Sequence, residues 1–407
     1  MSELEVSKYR KDFPMLNQTM HGKPLIYLDT AATAQKPVQV IEAMKDFQEK
    51  YYGTVHRAVY ELAVHSTDQY CKIREKVQSF IGAKKSEEII FTRGTTAAIN
   101  LVAHSFGKAF IHPGDEVIIS EIEHHSNIVP WQIMCEDRGA LLKVIPANDR
   151  GELILEEYGK LLTDKTKIVA VGHISNSLGT LHPVKTIINM AHEVGAKVLI
   201  DGAQGASHIA VDVVDLNCDF YAFSGHKLYG PTGVGVLYGK EELLEQMPPY
   251  QGGGDMIKIV SFEKTTYNDL PLKFEAGTPM ITEVIGLGVA VDYLEKIGLE
   301  NIARHEHQLL EYATKEMEAV DEVTIVGTAE EKGAILSFIV QGVHPLDIGT
   351  MLDLRGVAVR TGHHCAQPTM QHFGIEATTR ASFGLYNTKE DVDGFITALK
   401  EVIKLFK

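Results

Sequence analysis

Through the middle of the chain, short apolar runs rich in β-branched residues alternate with longer stretches whose apolar positions recur at helical spacing. EEIIF (87–91) is followed by TTAAINLVAHSF, and DEVIIS (115–120) by NIVPWQIMCEDRG. LLKVIP (141–146), KIVAVGHI (167–174), KVLID (197–201) and DFYAFS (219–224) continue the series, with the helix-like TIINMAHEV among them. The apolar runs are nearly continuous rather than alternating. That is the pattern of strands buried on both faces, and strand–helix–strand repetition predicts a largely parallel sheet. The expectation is a large α/β domain over residues 26–282.

Beyond residue 283 the texture changes. VIGLGVAVDYLEKIG and LENIARHEHQLLEYATKEMEAV predict long helices. Short strands at GAILSFIV (333–340) and GVAVRT (356–361) and a last helix at KEDVDGFITALKEVIKLF complete a smaller α+β domain over 283–407. Residues 1–25 are assigned to it as an arm. QGGGDMIKIVSFEKTTY (251–267) is Gly-rich and then β-rich, which predicts a loop and hairpin projecting from the large domain. There is no internal repeat and no low-complexity segment.

Composition narrows the function classes. The 407 residues are 44% hydrophobic and 23% charged, as in an ordinary soluble enzyme. A formal net charge of −15 argues against nucleic acid or an anionic membrane as the main partner, though not against a local basic patch around an anionic ligand. No apolar run reaches the ~18 residues of a membrane span. The amino-terminal MSELEVSKYRKDFPML is charged and lacks a signal-peptide core, so the expected location is the cytoplasm. The four cysteines, Cys71, Cys135, Cys218 and Cys365, are far apart and include no C-x-x-C pair, so each is expected to be a free thiol.

Three elements point to a cofactor. KVLID places Asp201 at the carboxyl end of a parallel strand, where open α/β sheets bind ligands. Lys227 follows in SGHKLYGPTG (224–233), after one more strand. Singly, Asp201 reads as a turn cap and Lys227 as a loop lysine. Together they suit pyridoxal phosphate, which needs a lysine for covalent attachment and a carboxylate for its pyridine nitrogen. In RGTTAAIN (93–100), Gly94, Thr95 and Thr96 open a helix directly after a strand, and a helix N-terminus with hydroxyls can cradle a phosphate.

These motifs carry a resemblance over essentially the whole chain. YLDTAATAQKP (27–37), VHRAVYELA (55–63), RGTTAAIN, EHHSNIVPW (123–131), SNSLGT (175–180), DGAQ (201–204), SGHKLYGPTG, EAGTP (275–279), RTGHHCAQP (360–368) and RASFGLYNT (380–388) resemble the class V aminotransferase group of fold type I pyridoxal-phosphate enzymes. The chain is more closely similar to group II cysteine desulfurases of SUF-type iron–sulfur cluster assembly. Gly-His-His-Cys-Ala is the segment specific to that group. The resemblance implies the fold of a fold type I transferase, with a large domain around a mostly parallel sheet and a small α+β domain carrying the catalytic cysteine.

It also implies residue roles. Lys227 would hold pyridoxal 5'-phosphate covalently and move the substrate Cα proton. Asp201 would pair with the pyridine nitrogen, His124 would stack on the ring, and Gln204 would bond the phenolic oxygen. Thr95, Thr96, Ser224 and His226 would hold the phosphate, with Thr278 reaching it from a second subunit of a homodimer with shared active sites. Arg380 would clamp the substrate carboxylate with its guanidinium fork, helped by Asn176. His56, Arg360 and His363 would line the pocket near the sulfur.

Cys365 admits three readings. Adjacent residues on a turn point apart and no second cluster has ligand spacing, which argues against a metal; His305 and His307 in RHEHQ do not share a helix face. Burial is the default for a free thiol and is expected of Cys71, Cys135 and Cys218. Cys365 differs, because it follows a strand on a polar turn where a thiol could be exposed and its pKa lowered by histidines or by the cofactor. The resemblance makes it the nucleophile. L-cysteine would give L-alanine, and the sulfur would pass as a persulfide on Cys365 to an acceptor protein of the SUF system. Competing readings are a selenocysteine lyase, a cysteine sulfinate desulfinase, a transaminase (which has no use for Cys365) and a non-catalytic assembly scaffold. One departure is Ala97, where many relatives carry Glu after Gly-Thr-Thr.

Overall fold

The computed structural model describes residues 5–407, so the first four residues of the expected arm lie outside the described residues. Seven strands form the main sheet, in the order Ile89–Thr92, Gly235–Gly239, Phe220–Ser224, Lys197–Asp201, Thr166–Gly172, Glu116–Ser120 and Leu141–Ile145. Neighbours run parallel except Gly235–Gly239, which is antiparallel to both strands beside it. Alternate residues enter different cores: Val169, Val171, Val198 and Ile200 pack on one face, Ile168, Ala170 and Leu199 on the other. Both faces of the inner strands are covered, so those strands are apolar through their middles, while the edge strand Leu141–Ile145 leaves Leu141 and Val144 exposed.

Periodicity predicts the helices Thr95–Phe110, Val129–Arg138 and Val184–Glu193 within a few residues. It does not predict Gly235–Gly239, whose glycine ends read as a continuation of the preceding loop. Nor does it single out the helices Val38–Lys50 and Glu61–Phe80, which cover Ile281–Ile297. The cover explains why that last helix is apolar nearly all round. Gly288 sits where a Cβ would lie 2.6 Å from Ile73 Cγ1, so the helices touch backbone to side chain.

Two cysteines, Cys135 and Cys218, are buried as expected, but Cys71 is exposed. Its helix turns Tyr70, Ile73, Arg74 and Val77 inward, which leaves position 71 toward solvent.

The carboxyl-terminal part holds a four-stranded antiparallel sheet in the order Val323–Val326, Ile335–Val340, Thr378–Ser382, Arg360–Gly362. Its core joins Leu336 and Phe338 to Val392 and Phe395 of the helix Lys389–Leu405. The expected strand GVAVRT is broken in two. Val357–Ala358 pairs in parallel with Ile26–Tyr27, while Arg360–Gly362 joins the sheet. The amino-terminal segment is tied down at several points. Arg10 donates from Nη1 and Nη2 to the two oxygens of Asp391, at 2.7 and 3.1 Å. Phe13 packs against the rings of Tyr229, Tyr293 and Tyr386. The expected hairpin is formed by Ile257–Val260 and Thr265–Tyr267 and leaves Ile259, Val260 and Phe262 exposed. Among the described residues, no helix is long and apolar enough to cross a membrane.

Candidate active site

The carboxyl ends of the main-sheet strands converge on one cavity of about 190 Å³. Asp201 ends its strand, and Lys227 ends the short 3-10 turn after Phe220–Ser224. His124 follows Glu116–Ser120, Asn176 follows Thr166–Gly172, and Thr95 opens the helix after Ile89–Thr92. All five line the cavity, together with Thr96, Gln204, Ser224, His226, Arg360 and Arg380.

Asp201 is buried and Lys227 is partly buried. Burial lowers the Lys227 ammonium to about 8; the Asp201 charge opposes that, and the nearby Arg380 and Arg360 add to it. Burial raises the Asp201 carboxyl against the Ala203 N–H, which donates to Oδ1 at 3.0 Å, and against the Lys227 charge. Such a lysine holds its proton weakly enough to serve as base or nucleophile near neutral pH.

His124 accepts the Ser126 N–H at Nδ1, 3.1 Å away, so a neutral ring carries its proton on Nε2. Burial, then the Lys227 charge, lowers it to about 3, and the ring is uncharged. Thr95 N–H and Oγ1 lie 2.8 and 2.7 Å from Ser224 Oγ, which brings a helix N-terminus and two hydroxyls together. His226 is joined to Thr33 Oγ1 at 3.1 Å and lowered to about 4, by burial and then by Lys227.

Arg380 is buried and donates from Nη1 to Asn176 O at 2.7 Å and from Nη2 to Asp29 Oδ1 at 2.9 Å. Its Nε has no partner, and neither do Asn176 Oδ1 and Gln204 Oε1, although all three are buried. Unsatisfied buried groups converging on a cavity are the mark of a polar ligand's site. Arg360 lies directly across the strand pair from Arg380 and donates from Nη2 to Cys365 Sγ at 3.6 Å.

Cys365 is half-buried at the edge of this group. It and His364 have φ of 57° and 52°, the left-handed region that side chains disfavour. The turn is held from both sides: Asn176 Nδ2 donates to His364 O at 2.7 Å, and His364 Nε2 lies 2.7 Å from Thr378 Oγ1. His363 is exposed, and its Nδ1 accepts the Cys365 N–H at 3.1 Å.

Two expected site residues lie elsewhere. His56 packs edge-on to Tyr70 with ring centroids 5.7 Å apart, and its buried Nε2 has no partner. Thr278 lines a second hollow with Tyr70, Ala97 and Glu275. Among the described residues, no group of three or more His, Cys, Asp or Glu is arranged for a metal ion.

Four residues at the site carry no local sequence signal strong enough to name them: Asp29, Gly235, His125 and Glu123. Gly235 supports the cradle, since a Cβ there would lie 2.4 Å from Gly94 Cα. Glu123 fastens the His124 turn to the neighbouring strand. It accepts Gly172 N–H at 3.0 Å and Asn127 Nδ2 at 2.8 Å, and bonds Ser120 Oγ; burial raises it to about 7. Asn127 in turn accepts from Trp131 Nε1 at 2.9 Å. Glu123, Asn127 and Trp131 stand four apart, a spacing that could have flagged the chain of bonds.

Comparison with known proteins agrees with this architecture. The family profile described as aminotransferase class-V matches residues 26–395. A protein of Mycolicibacterium paratuberculosis named "Probable cysteine desulfurase" is 50% identical over 398 residues, 98% of this chain and 58% of that one. The chain spans only 58–65% of the length of three such relatives. A Staphylococcus aureus protein of the same name is 52% identical over 403 residues, with 99% of this chain and 98% of that one covered. The apo structure of a cysteine desulfurase from Thermococcus onnurineus superposes with a TM-score of 0.94 at 40% identity, covering 99% of each chain. The fold that the sequence resemblance implies is the fold observed.

Proposed function

The chain belongs to the class-V aminotransferase family, and from that premise we propose that it is a pyridoxal-phosphate-dependent cysteine desulfurase of the SUF-type group II. The observation that carries the proposal is the bond from Arg360 to Cys365 Sγ, which sets a thiol beside the cavity lined by Lys227 and Asp201.

The residues present fit the cofactor. Lys227 would hold it covalently and Asp201 would face its ring nitrogen. His124 would lie against the ring, Gln204 would meet the phenolic oxygen, and Thr95, Thr96, Ser224 and His226 would bind the phosphate. When bound, the cofactor supplies an electron sink for negative charge at the substrate Cα. Arg380 would bind the carboxylate of L-cysteine through its guanidinium, and Arg360 and Asn176 bound the same space. Lys227 carries the Cα proton. Cys365 Sγ takes the substrate sulfur: the Cβ–S bond breaks, an S–S bond forms, and Cβ gains a proton. The products are L-alanine and a persulfide on Cys365.

The same reading makes the protein a cytoplasmic homodimer. Thr278 and His56, which lie outside their own cavity, would serve the partner's. The large domain would span 26–282, with 1–25 and 283–407 forming the unit that carries Cys365. His363 would stand at the mouth, where a SUF acceptor protein collects the sulfur.

The test is a paired assay. Purified holoenzyme and Cys365→Ala are given L-cysteine, with and without a thiol acceptor, and alanine is measured. Cofactor absorption in both proteins and alanine formation in the wild type alone is expected. Alanine formation that survives the substitution would point to a lyase without a persulfide, of the selenocysteine or cysteine sulfinate kind.

A further inference from the structure

The dipeptide His124-His125 divides its two rings between two places. His124 lines the cofactor cavity. His125 turns the other way, toward the Cys365 turn. Its backbone N–H donates to Cys365 O at 2.7 Å. Its ring Nε2 accepts the Gln367 N–H at 3.1 Å. Its ring also lies against His363, with centroids 5.5 Å apart and planes at 35°. His363 Nδ1 holds the Cys365 N–H, so both backbone polar groups of the cysteine are engaged by this pair of histidines.

The turn needs such support. His364 and Cys365 are consecutive left-handed residues, and neither is glycine. Each such residue costs roughly 1–2 kcal/mol and persists only where its surroundings enforce it. The short helix Gln367–His372 begins directly after the turn, with no side-chain cap from Ala366. The His125 ring supplies the missing acceptor from another part of the chain.

We propose that His125 is a positioning residue for Cys365: its ring braces the left-handed turn so that Sγ faces the cavity, in register with the cofactor face set by His124. The ring acts separately from the backbone bond, which any residue but proline at 125 can make. The kinetic part of this proposal rests on Cys365 being the sulfur acceptor; the positional part does not.

The test compares wild-type holoenzyme with His125→Ala, which removes the ring, and His125→Gln, which restores an acceptor at the reach of Nε2. Three readouts are taken: visible cofactor absorption, the rate at which iodoacetamide alkylates Cys365 by mass spectrometry, and kcat and KM for L-cysteine. A misplacement on the order of 1 Å lowers a rate by up to ~100-fold. His125→Ala is therefore expected to leave absorption and KM within about twofold, lower kcat roughly ten- to a hundredfold, and change the alkylation rate at least about threefold. His125→Gln is expected to recover most of both losses. Alkylation and kcat unchanged in His125→Ala would overturn the proposal. So would His125→Gln as impaired as His125→Ala, or altered absorption in both, which would place the effect on His124. If His125→Ala does not fold, His125→Phe takes its place, keeping a ring against His363 without the acceptor. A wild type that makes no alanine would sink the functional reading alone, since the alkylation comparison still reports where the thiol sits.

Discussion

Arg380 is held by Asp29 through an Nη2–Oδ1 bond of 2.9 Å, and the two residues stand 351 positions apart in the chain. The pair aims a buried guanidinium whose Nε remains free. Arg380→Lys keeps the charge but loses the planar fork. KM for L-cysteine should rise about tenfold or more, equivalent to ~1.4 kcal/mol or above, with cofactor absorption retained. Steady-state kinetics decide it; an unchanged KM would remove Arg380 from carboxylate binding.

Gly235→Ala should loosen the cofactor. The new Cβ would meet Gly94 Cα at 2.4 Å and Phe223 O at 2.7 Å, both backbone atoms that cannot swing aside. Overpacking of this kind costs about 1–3 kcal/mol. The expected result is a lower Tm and faster loss of cofactor on dialysis, read as absorbance per chain. Full retention would mean that Gly94 does not shape the phosphate cradle.

Mixed dimers test whether Thr278 acts across the subunit boundary. One chain carries Lys227→Ala and the other Thr278→Val. If each site takes Lys227 from one chain and Thr278 from its partner, the mixed dimer contains one intact site. About half the wild-type activity per dimer is then expected, with tightly held cofactor. Loose cofactor at the remaining site would show that Thr278 serves its own chain.

Lys332 provides a pH-dependent stability test away from the cavity. Its ammonium donates to Gly327 O at 2.6 Å, and burial lowers it from 10.5 to about 8. Below pH 8 both folded and unfolded chains hold this proton, and the folded state carries the cost of a partly buried cation. Between pH 8 and 10.5 the folded chain binds fewer protons, so this contribution to stability rises with pH. Lys332→Met removes the dependence. Its Tm relative to wild type should be higher at pH 7 than at pH 10, by the equivalent of about 2 kcal/mol. A difference that does not vary with pH would contradict a depressed Lys332.

The sequence makes some parts of this molecule legible and leaves others hidden, for physical reasons. The meeting of Asp201 and Lys227 at one cavity is readable because strand-end position and residue type together restrict where they can lie. The strands through Val169 and Leu199 are readable because burial on both faces leaves a continuous apolar run. The strand Thr378–Ser382 is not readable. It is wholly buried yet reads TTRAS, because Arg380 and Ser382 are satisfied by distant partners, Asp29 among them. His125 is hidden in the same way: only folding brings it to Cys365, 240 residues later. Gly235 reads as loop because its purpose, close approach to Gly94, leaves no pattern along the chain.

The pairing of Ile26–Tyr27 with Val357–Ala358 also sets an order of assembly during synthesis. The first strand of the pair leaves the ribosome some 330 residues before its partner, roughly half a minute at ~10 residues per second. Until then its edge has nothing to bind. The main sheet, complete by Gly239, can close around the cofactor cavity in that interval. Cys365 lies just beyond the late strand, so the nascent chain acquires this thiol after the large-sheet wall of the cavity and shortly before Arg380 adds the last of its lining.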